Sequence, residues 1–394
     1  MLKALSNSRV SRISTKEMQW HIITGEFPPL PGGVGDYTCR LATGLADVGE
    51  QVHVWTPGST LEAVALDGVE VHGLPGKFGL RWLRALDRGL GAYSGERIVL
   101  VQYVPHMYGW KAMNVAFCWW LFRQRGNKVF VMFHEVAFPF KPGQPWKHDL
   151  LAVVHRLMAW IVLRSASHSF TSNAPYLDLL SRLSSNDRIS LLRLFSNVPF
   201  DKTGNEAKKA RMRLGERSNV VGIFSSFTSE ITALLEETLP AVLEHSGCQI
   251  FLIGPGSRFI EQFSRSHPKF KHRFHTSGRV NALEAGPYLQ ACDVLLQIYP
   301  DGACAARGTL VAALASGVPV VTTAGPFTEP VLKDGGVFAI ADRDPASIRE
   351  VLHELLADPA LAAHIGATGK NLYATEFDVP VTVRQLRQTA GTPA

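Results

Sequence analysis

The sequence predicts an α/β architecture of two doubly wound domains in tandem. At 394 residues the chain is about two to three times the usual domain length, which makes two hydrophobic cores the expectation. Short β-branched runs alternate with helical patterns along almost all of it, the mark of β-α-β units and parallel sheets. The alternation stops once, over the polar, basic stretch from Ser196 to Ser218, and then restarts.

The first domain is expected over residues 19–195. Its strands are "WHIIT" from Trp20, "VHVW" from Val52, "VEVHGL" from Val69, "RIVLVQY" from Arg97, "KVFVMF" from Lys128 and "HSFTS" from His168. Helices are expected from about Asp36 to Val48, at "LRWLRALDRGL", at "WKAMNVAFCWWLFRQRG" and within "KHDLLAVVHRLMAWIVLRSA". Ser196 to Ser218, rich in Lys and Arg with Pro and Gly, reads as a linker. The second domain is expected over residues 219–375. There "NVVGIF", "QIFLIG", "RFHTSG", "DVLLQIY" and "VPVVTT" are strands, separated by helices at "SEITALLEETLPAVLEH", "RFIEQFSR", "ALEAGPYLQA" and after "ARGTL". Residues 376–394 are expected as a terminal helix that crosses back to the first domain, with Pro380 where the helical pattern breaks and changes direction.

A composition of 46% hydrophobic and 19% charged residues excludes the disordered and membrane-spanning classes. The net charge of +6 is mild and fits phosphorylated ligands, an anionic membrane surface or a plain basic surface. No nucleic acid partner is expected. Cys39, Cys118, Cys248, Cys292 and Cys304 are scattered without C-x-x-C spacing, against a zinc site or a disulfide framework, and point to a reducing, cytoplasmic setting. The apolar run from Leu150 to Leu163 is interrupted by His155 and Arg156 and is too short to span a bilayer. The start of the chain carries Lys3, Arg9, Arg12 and Lys16 against Glu17 and lacks the apolar core of a secretory signal. It reads as a loose tail, with an organelle transit peptide as the alternative.

Two places at strand ends carry candidate chemistry. Gly32, Gly33 and Gly35 open a helix after the first strand, where backbone N–H groups and the helix end favour a phosphate. The bland alternative is a tight strand-to-helix turn. His134 and Glu135 close the strand "VMF", where a His suits contact with a sugar hydroxyl and the neighbouring Glu shares its hydrogen-bond network. A packing histidine is the alternative there. "VQYVPHMYG" ends the preceding strand and adds Tyr103 and His106 to the same rim, the expected acceptor side with Glu135. No His-x-x-x-His or third ligand suggests a metal, and none is expected.

Taken together, "EFPPLPGGVGDYTCRLATGLADVGEQVHVWTP", "VQYVPHMYG", "FHE", "GRV" with "YLQACDVLLQIYP", and "ASGVPVVTTAGPFTEPV" resemble family 4 of the glycosyltransferases over roughly residues 19–390. The resemblance implies the GT-B fold of two facing Rossmann-like domains. It also implies retaining transfer from a nucleoside diphosphate sugar to a sugar or lipid-linked acceptor, in glycoconjugate or polysaccharide assembly, with no essential metal and no further cofactor. By the same resemblance Gly32 and Gly33 approach the donor diphosphate, His134 contacts the donor sugar near the reacting carbon, and Gly325, Pro326, Phe327, Thr328 and Glu329 line the sugar pocket.

The sequence departs from the family in two respects. The loop after the first strand of the second domain, "GIFSSFTSE", lacks the usual Arg and Lys, and the usual glutamate pair falls on Cys304 and Ala312, neither of which accepts a hydrogen bond as a carboxylate does. Asp301, Arg307, Thr309 and the helix start at Gly308 lie nearby. Asp301 is expected to replace the lost acceptor and Arg307 the lost cations, against a reading of a turn Asp and a surface Arg. Two further alternatives stand: a sugar-nucleotide epimerase, for which converging carboxylates are missing, and a catalytically silent GT-B subunit that binds a sugar nucleotide or a partner enzyme. Trp110, Phe117, Trp119, Trp120 and Phe122, with Arg123 and Arg125 and the "PFKPGQPWKHDLL" segment, fit either a buried helix, the preferred reading, or peripheral contact with the inner membrane face.

Overall fold

The structure, a computed structural model, describes residues 18–30, 32–58, 66–124, 127–184, 188–201, 203–215, 218–333 and 339–391. The expected tail with Lys3, Arg9, Arg12 and Lys16, and Arg125, lie outside the described residues. In chain order the first elements are β1 (Gln19–Ile23), α1 (Gly33–Asp47), β2 (Gln51–Pro57), β3 (Val69–Leu74), α2 (Leu80–Gly91), β4 (Arg97–Tyr103), α3 (Val115–Arg123), β5 (Lys128–Phe133), α4 (Trp146–Ser165), β6 (His168–Thr171), α5 (Ala174–Leu183) and β7 (Ile189–Leu191). They are followed by α6 (Asn205–Leu214), β8 (Val220–Phe224), α7 (Ser229–His245), β9 (Gln249–Ile253), α8 (Ser257–Ser266), β10 (Phe274–Gly278), α9 (Ala282–Gln290), β11 (Val294–Gln297), α10 (Gly308–Ser316), β12 (Val320–Thr323), α11 (Pro330–Lys333), β13 (Ala339–Ala341), α12 (Pro345–Ala357), α13 (Pro359–Leu372) and α14 (Val379–Ala390).

Two parallel sheets result, in the orders β3-β2-β1-β4-β5-β6-β7 and β10-β9-β8-β11-β12-β13. Strand order reverses between β1 and β4 in one and between β8 and β11 in the other. At such reversals the loops leaving the carboxyl ends part and open a ligand crevice. The second sheet is covered on both faces: Val220 and Leu295 point into a core shared with α9 and α10, while Val221, Ile223, Val294 and Leu296 face α7, α8 and α12. The period-two alternation within each strand therefore feeds two cores, each buried aliphatic side chain contributing about 1.5–3 kcal/mol.

The chain divides into two compact units, residues up to Ser169 with Arg182–Arg188, and Phe170–Ser181 with Ile189 onward. The segment read as a linker is not plain loop: α6 lies within it and buries Ala207, Ala210 and Leu214, and its Arg211 binds Asp293 at 2.8 Å. Its basic residues mask a stripe of two alanines and one leucine too short to stand out by periodicity. Pro380 falls in the first turn of α14, where its missing N–H costs nothing, after a π-helical turn at Tyr373–Phe377.

The helix expected from Trp110 starts later, at Val115. Trp110, Lys111 and Ala112 have φ of 52°, 53° and 67°, and Asn114 caps α3 by accepting from the Phe117 amide at 3.0 Å while donating to the Phe78 and Tyr108 carbonyls. Phe117 and Trp120 are buried as the preferred reading had it, but Trp110 and Trp119 are more than half exposed. Exposure is clearer on α4, where Trp146, Leu150, Val153, Leu157 and Trp160 form an i, i+4, i+7 stripe with 40% to 69% of each surface accessible. No helix among the described residues is long and apolar enough to cross a membrane.

Candidate active site

In the first unit, the glycine turn after β1 does open α1, but two amides of that helix's first turn are already occupied. Glu26 Oε1 accepts from the Val34 and Gly35 amides at 2.9 and 3.1 Å. A Cβ on Gly32 would stand 2.3 Å from the Glu26 carboxyl carbon, so glycine at this position makes room for that side chain. The helix end at Gly32 and Gly33, expected to meet a phosphate, is thus met in this structure by the Glu26 carboxylate.

His134 stands just past β5, where its backbone N–H donates to Tyr103 O at 3.1 Å. Its Nε2 lies 2.7 Å from Gln102 Oε1 on β4, and the Tyr37 ring of α1 meets it edge-on at 5.1 Å. An oxygen partner puts the proton on Nε2 and leaves Nδ1 as an acceptor. Burial holds the ring's pKa down to about 4, so it is neutral at physiological pH. The hydrogen-bond sharing expected between His134 and Glu135 does not occur; Glu135 lies 3.9 Å from His106 instead, both half exposed. Tyr103 is corrected outright. It is fully buried, packed on Tyr108 and Phe133, and is core rather than rim.

In the second unit, the loops after β11 and β12 are locked together. Ala303 N donates to Thr323 O at 2.9 Å and Phe327 N to Asp301 O at 3.3 Å. Gly302 has φ of 84° and a Cβ there would lie 2.2 Å from Gly325 N, so the two backbones meet where only glycine fits. Thr328 Oγ1 accepts from Gly325 N at 3.0 Å and closes the turn. Across these loops Glu329 receives the Ala305 amide at 3.1 Å, and its charge, after burial, helps hold the Cys304 thiol protonated. Cys304 and Ala312 are both buried, and Ala312 packs with Leu310 and Leu314 in the core.

Arg307 sits at the N-cap of α10 and supplies no capping side chain to that helix. Its guanidinium lies 3.6 Å from Asp301 and 5.0 Å over the Tyr299 ring. Thr309 Oγ1 hydrogen-bonds the Tyr299 hydroxyl at 2.9 Å, which also reaches Gln297 Oε1 at 3.1 Å. The second unit thus brings Asp301, Arg307, Gly308, Thr309 and Gly325 to Glu329 to one end of β11 and β12. An open cavity of 440 Å³ lined by Lys208, Arg211 and Asp293 lies at the opposite, amino end of these strands and meets none of them.

Sequence reasoning missed the roles of Glu26, Gln102 and Tyr299. Only Gln102 had a readable signal, a polar residue one position before the end of an otherwise apolar strand.

Comparison with known proteins agrees with this fold. The model for the glycosyl transferase 4-like domain matches residues 32–194, and that for glycosyl transferases group 1 matches residues 218–358. No curated protein matches the chain. Among solved structures, sucrose-phosphate synthase from Thermosynechococcus elongatus superposes with a TM-score of 0.70 at 16% identity, covering 95% of this chain and 98% of that one. Anabaena HepE in complex with UDP gives 0.67 at 15%, covering 95% and 99%. WaaG, a glycosyltransferase involved in lipopolysaccharide biosynthesis, gives 0.64 at 16%, covering 94% and 100%. The chain belongs to the family 4 type of glycosyltransferases with the GT-B fold.

Proposed function

We propose that this glycosyltransferase moves a sugar from a nucleoside diphosphate sugar to a glycoconjugate, polysaccharide or lipid-linked acceptor, with retention and without an essential metal. The observation that carries the reading is the convergence of Arg307, the start of α10 and the Glu329 carboxylate at one end of β11 and β12. The guanidinium and the helix end are suited to a leaving diphosphate, whose charge grows as the glycosidic bond breaks. The Arg307–Asp301 pair is long and partly solvated, worth about 0–1 kcal/mol, so a phosphate displaces it at little cost. Asp301 and Glu329 then face sugar hydroxyls, and neutral His134, its Nε2 proton held by Gln102, offers Nδ1 as an acceptor to the donor sugar. HepE was crystallised with UDP, with UDP and glucose, and with UDP-glucose, which favours a uridine donor.

The test is a thermal-shift panel of nucleoside diphosphates and their sugars. A true donor at a hundred times its dissociation constant stabilises by about 2.7 kcal/mol, and a panel without any shift contradicts the reading. The silent-subunit reading has one observation in its favour, the buried Cys304 and Ala312 at the glutamate positions. For the acceptor side, the exposed α4 stripe, with Arg156 over Phe140 and Arg164 over Trp160, suits peripheral contact with the inner membrane face.

A further inference from the structure

We propose that His53, Glu70 and His72 form a binding site for a zinc-class divalent cation, separate from the residues assigned to transfer. Strands β2 and β3 pair in parallel with His53 opposite Glu70 and Trp55 opposite His72. Side chains two apart share a sheet face, so the three groups project together. His53 Nδ1 and His72 Nε2 lie 3.3 Å apart, His53 Nδ1 and Glu70 Oε2 3.2 Å, and His72 Nε2 and Glu70 Oε2 3.8 Å. An ion with ligand bonds of about 2.0–2.1 Å sets tetrahedral ligands about 3.3–3.4 Å apart, whereas adjacent octahedral ligands stand about 2.9 Å apart. All three separations exceed the octahedral edge; the 3.3 Å one sits at the tetrahedral edge, the 3.2 Å one just below it and the 3.8 Å one above it.

The surroundings also suit a metal. Without an ion, two imidazole nitrogens face each other and both turn to a single carboxylate oxygen. The rings are held from behind: His21 stacks on His53 at 4.8 Å, Trp55 stacks on His72 at 4.1 Å, and Trp55 Nε1 donates to His21 Nδ1 at 3.2 Å. Such stacking restricts the orientation of both rings. Tyr93 OH lies 3.0 Å from Glu70 Oε2 and 3.4 Å from His72 Nε2, within reach of the same cluster. His53 is buried, but Glu70 and His72 reach solvent at 65% and 25%, which gives the ion a way in. Two nitrogens and one oxygen suit zinc, cobalt or nickel rather than magnesium or calcium. Because β3 ends the sheet, a bound ion would staple its edge strand to β2.

The experiment is calorimetric titration of untagged, chelator-treated full-length protein with zinc, and with cobalt read by visible absorption. One ion per chain is expected, with the intense cobalt bands of a four-coordinate site and a higher Tm when loaded. Glu70→Gln and His72→Gln, both at solvent-accessible positions, should each weaken zinc by at least about 10- to 100-fold while leaving the circular dichroism spectrum unchanged. Absence of binding at roughly 100 µM zinc, or binding undiminished in the double variant, overturns the proposal. The readout does not depend on sugar transfer.

Discussion

Glu329 on the loop after β12 accepts the Ala305 amide at 3.1 Å, which sets a carboxylate beside Cys304, the position where the family's first glutamate is missing. The two loops are joined by backbone contacts through Gly302 and Gly325, so this carboxylate is held by rigid supports rather than by a free loop. We propose that it shares with Asp301 the acceptor role of the lost side chain.

Arg307 should carry the diphosphate. A charge-assisted hydrogen bond is worth about 1.5–3 kcal/mol, so Arg307→Ala should weaken nucleoside diphosphate binding about 10- to 100-fold in calorimetry. Arg307→Lys should recover only part of it, for want of the planar fork. The bare nucleoside should bind parent and variant equally. Asp301→Asn, which removes the guanidinium's present partner, should not weaken the diphosphate. Equal loss of nucleoside and diphosphate would contradict the assignment.

His134→Ala should abolish transfer while leaving nucleotide affinity within a few-fold. Gln102→Leu removes the oxygen that orients the ring, and should lower kcat with little change in KM for the donor. Because His134 is neutral down to a pH of about 4, the pH profile of transfer should carry no inflection from it near 6.5. Unchanged turnover in His134→Ala would make the residue a packing histidine.

Acid should destabilise the fold in a defined window. His134 and His155 have pKa values lowered to about 4, and His21 to about 3, chiefly by burial. His155 also accepts from the Phe138 amide at 3.2 Å through Nδ1 and donates to Ala112 O through Nε2 at 2.9 Å, so its protonated form loses a bond; His106 and Arg156 add like charge beside it. The unfolded chain binds these protons near pH 6.5 and the native state does not, so their contribution is constant above that pH and stability falls as pH drops from about 6.5 toward 4. Denaturant unfolding at several pH values checks this, and His155→Gln should flatten the slope.

The alternation of strands and helices was legible because each strand's apolar run and each helix's stripe is local. So was the strand-end placement of His134. What was not legible depends on chain segments meeting in space. "GGVG" announces free amides but not that Glu26 fills them, and nothing in "TEP" says that Glu329 reaches Ala305. Tyr103 ended a strand near a rim, yet its side chain turns inward onto Tyr108. "VEVH" places Glu70 and His72 on one face, but His53 joins them only through the register of β2 on β3.

The most direct measurement is release of nucleoside diphosphate from its sugar in the absence of acceptor. Slow hydrolysis of one donor by the parent chain is predicted, reduced at least about 100-fold in Glu329→Gln, which amounts to roughly 2.7 kcal/mol of transition-state stabilisation. Diphosphate affinity in that variant should stay within a few-fold. Tight donor binding without any hydrolysis by the parent would contradict this account and favour a silent subunit, and hydrolysis unchanged in Glu329→Gln would remove Glu329 from the chemistry.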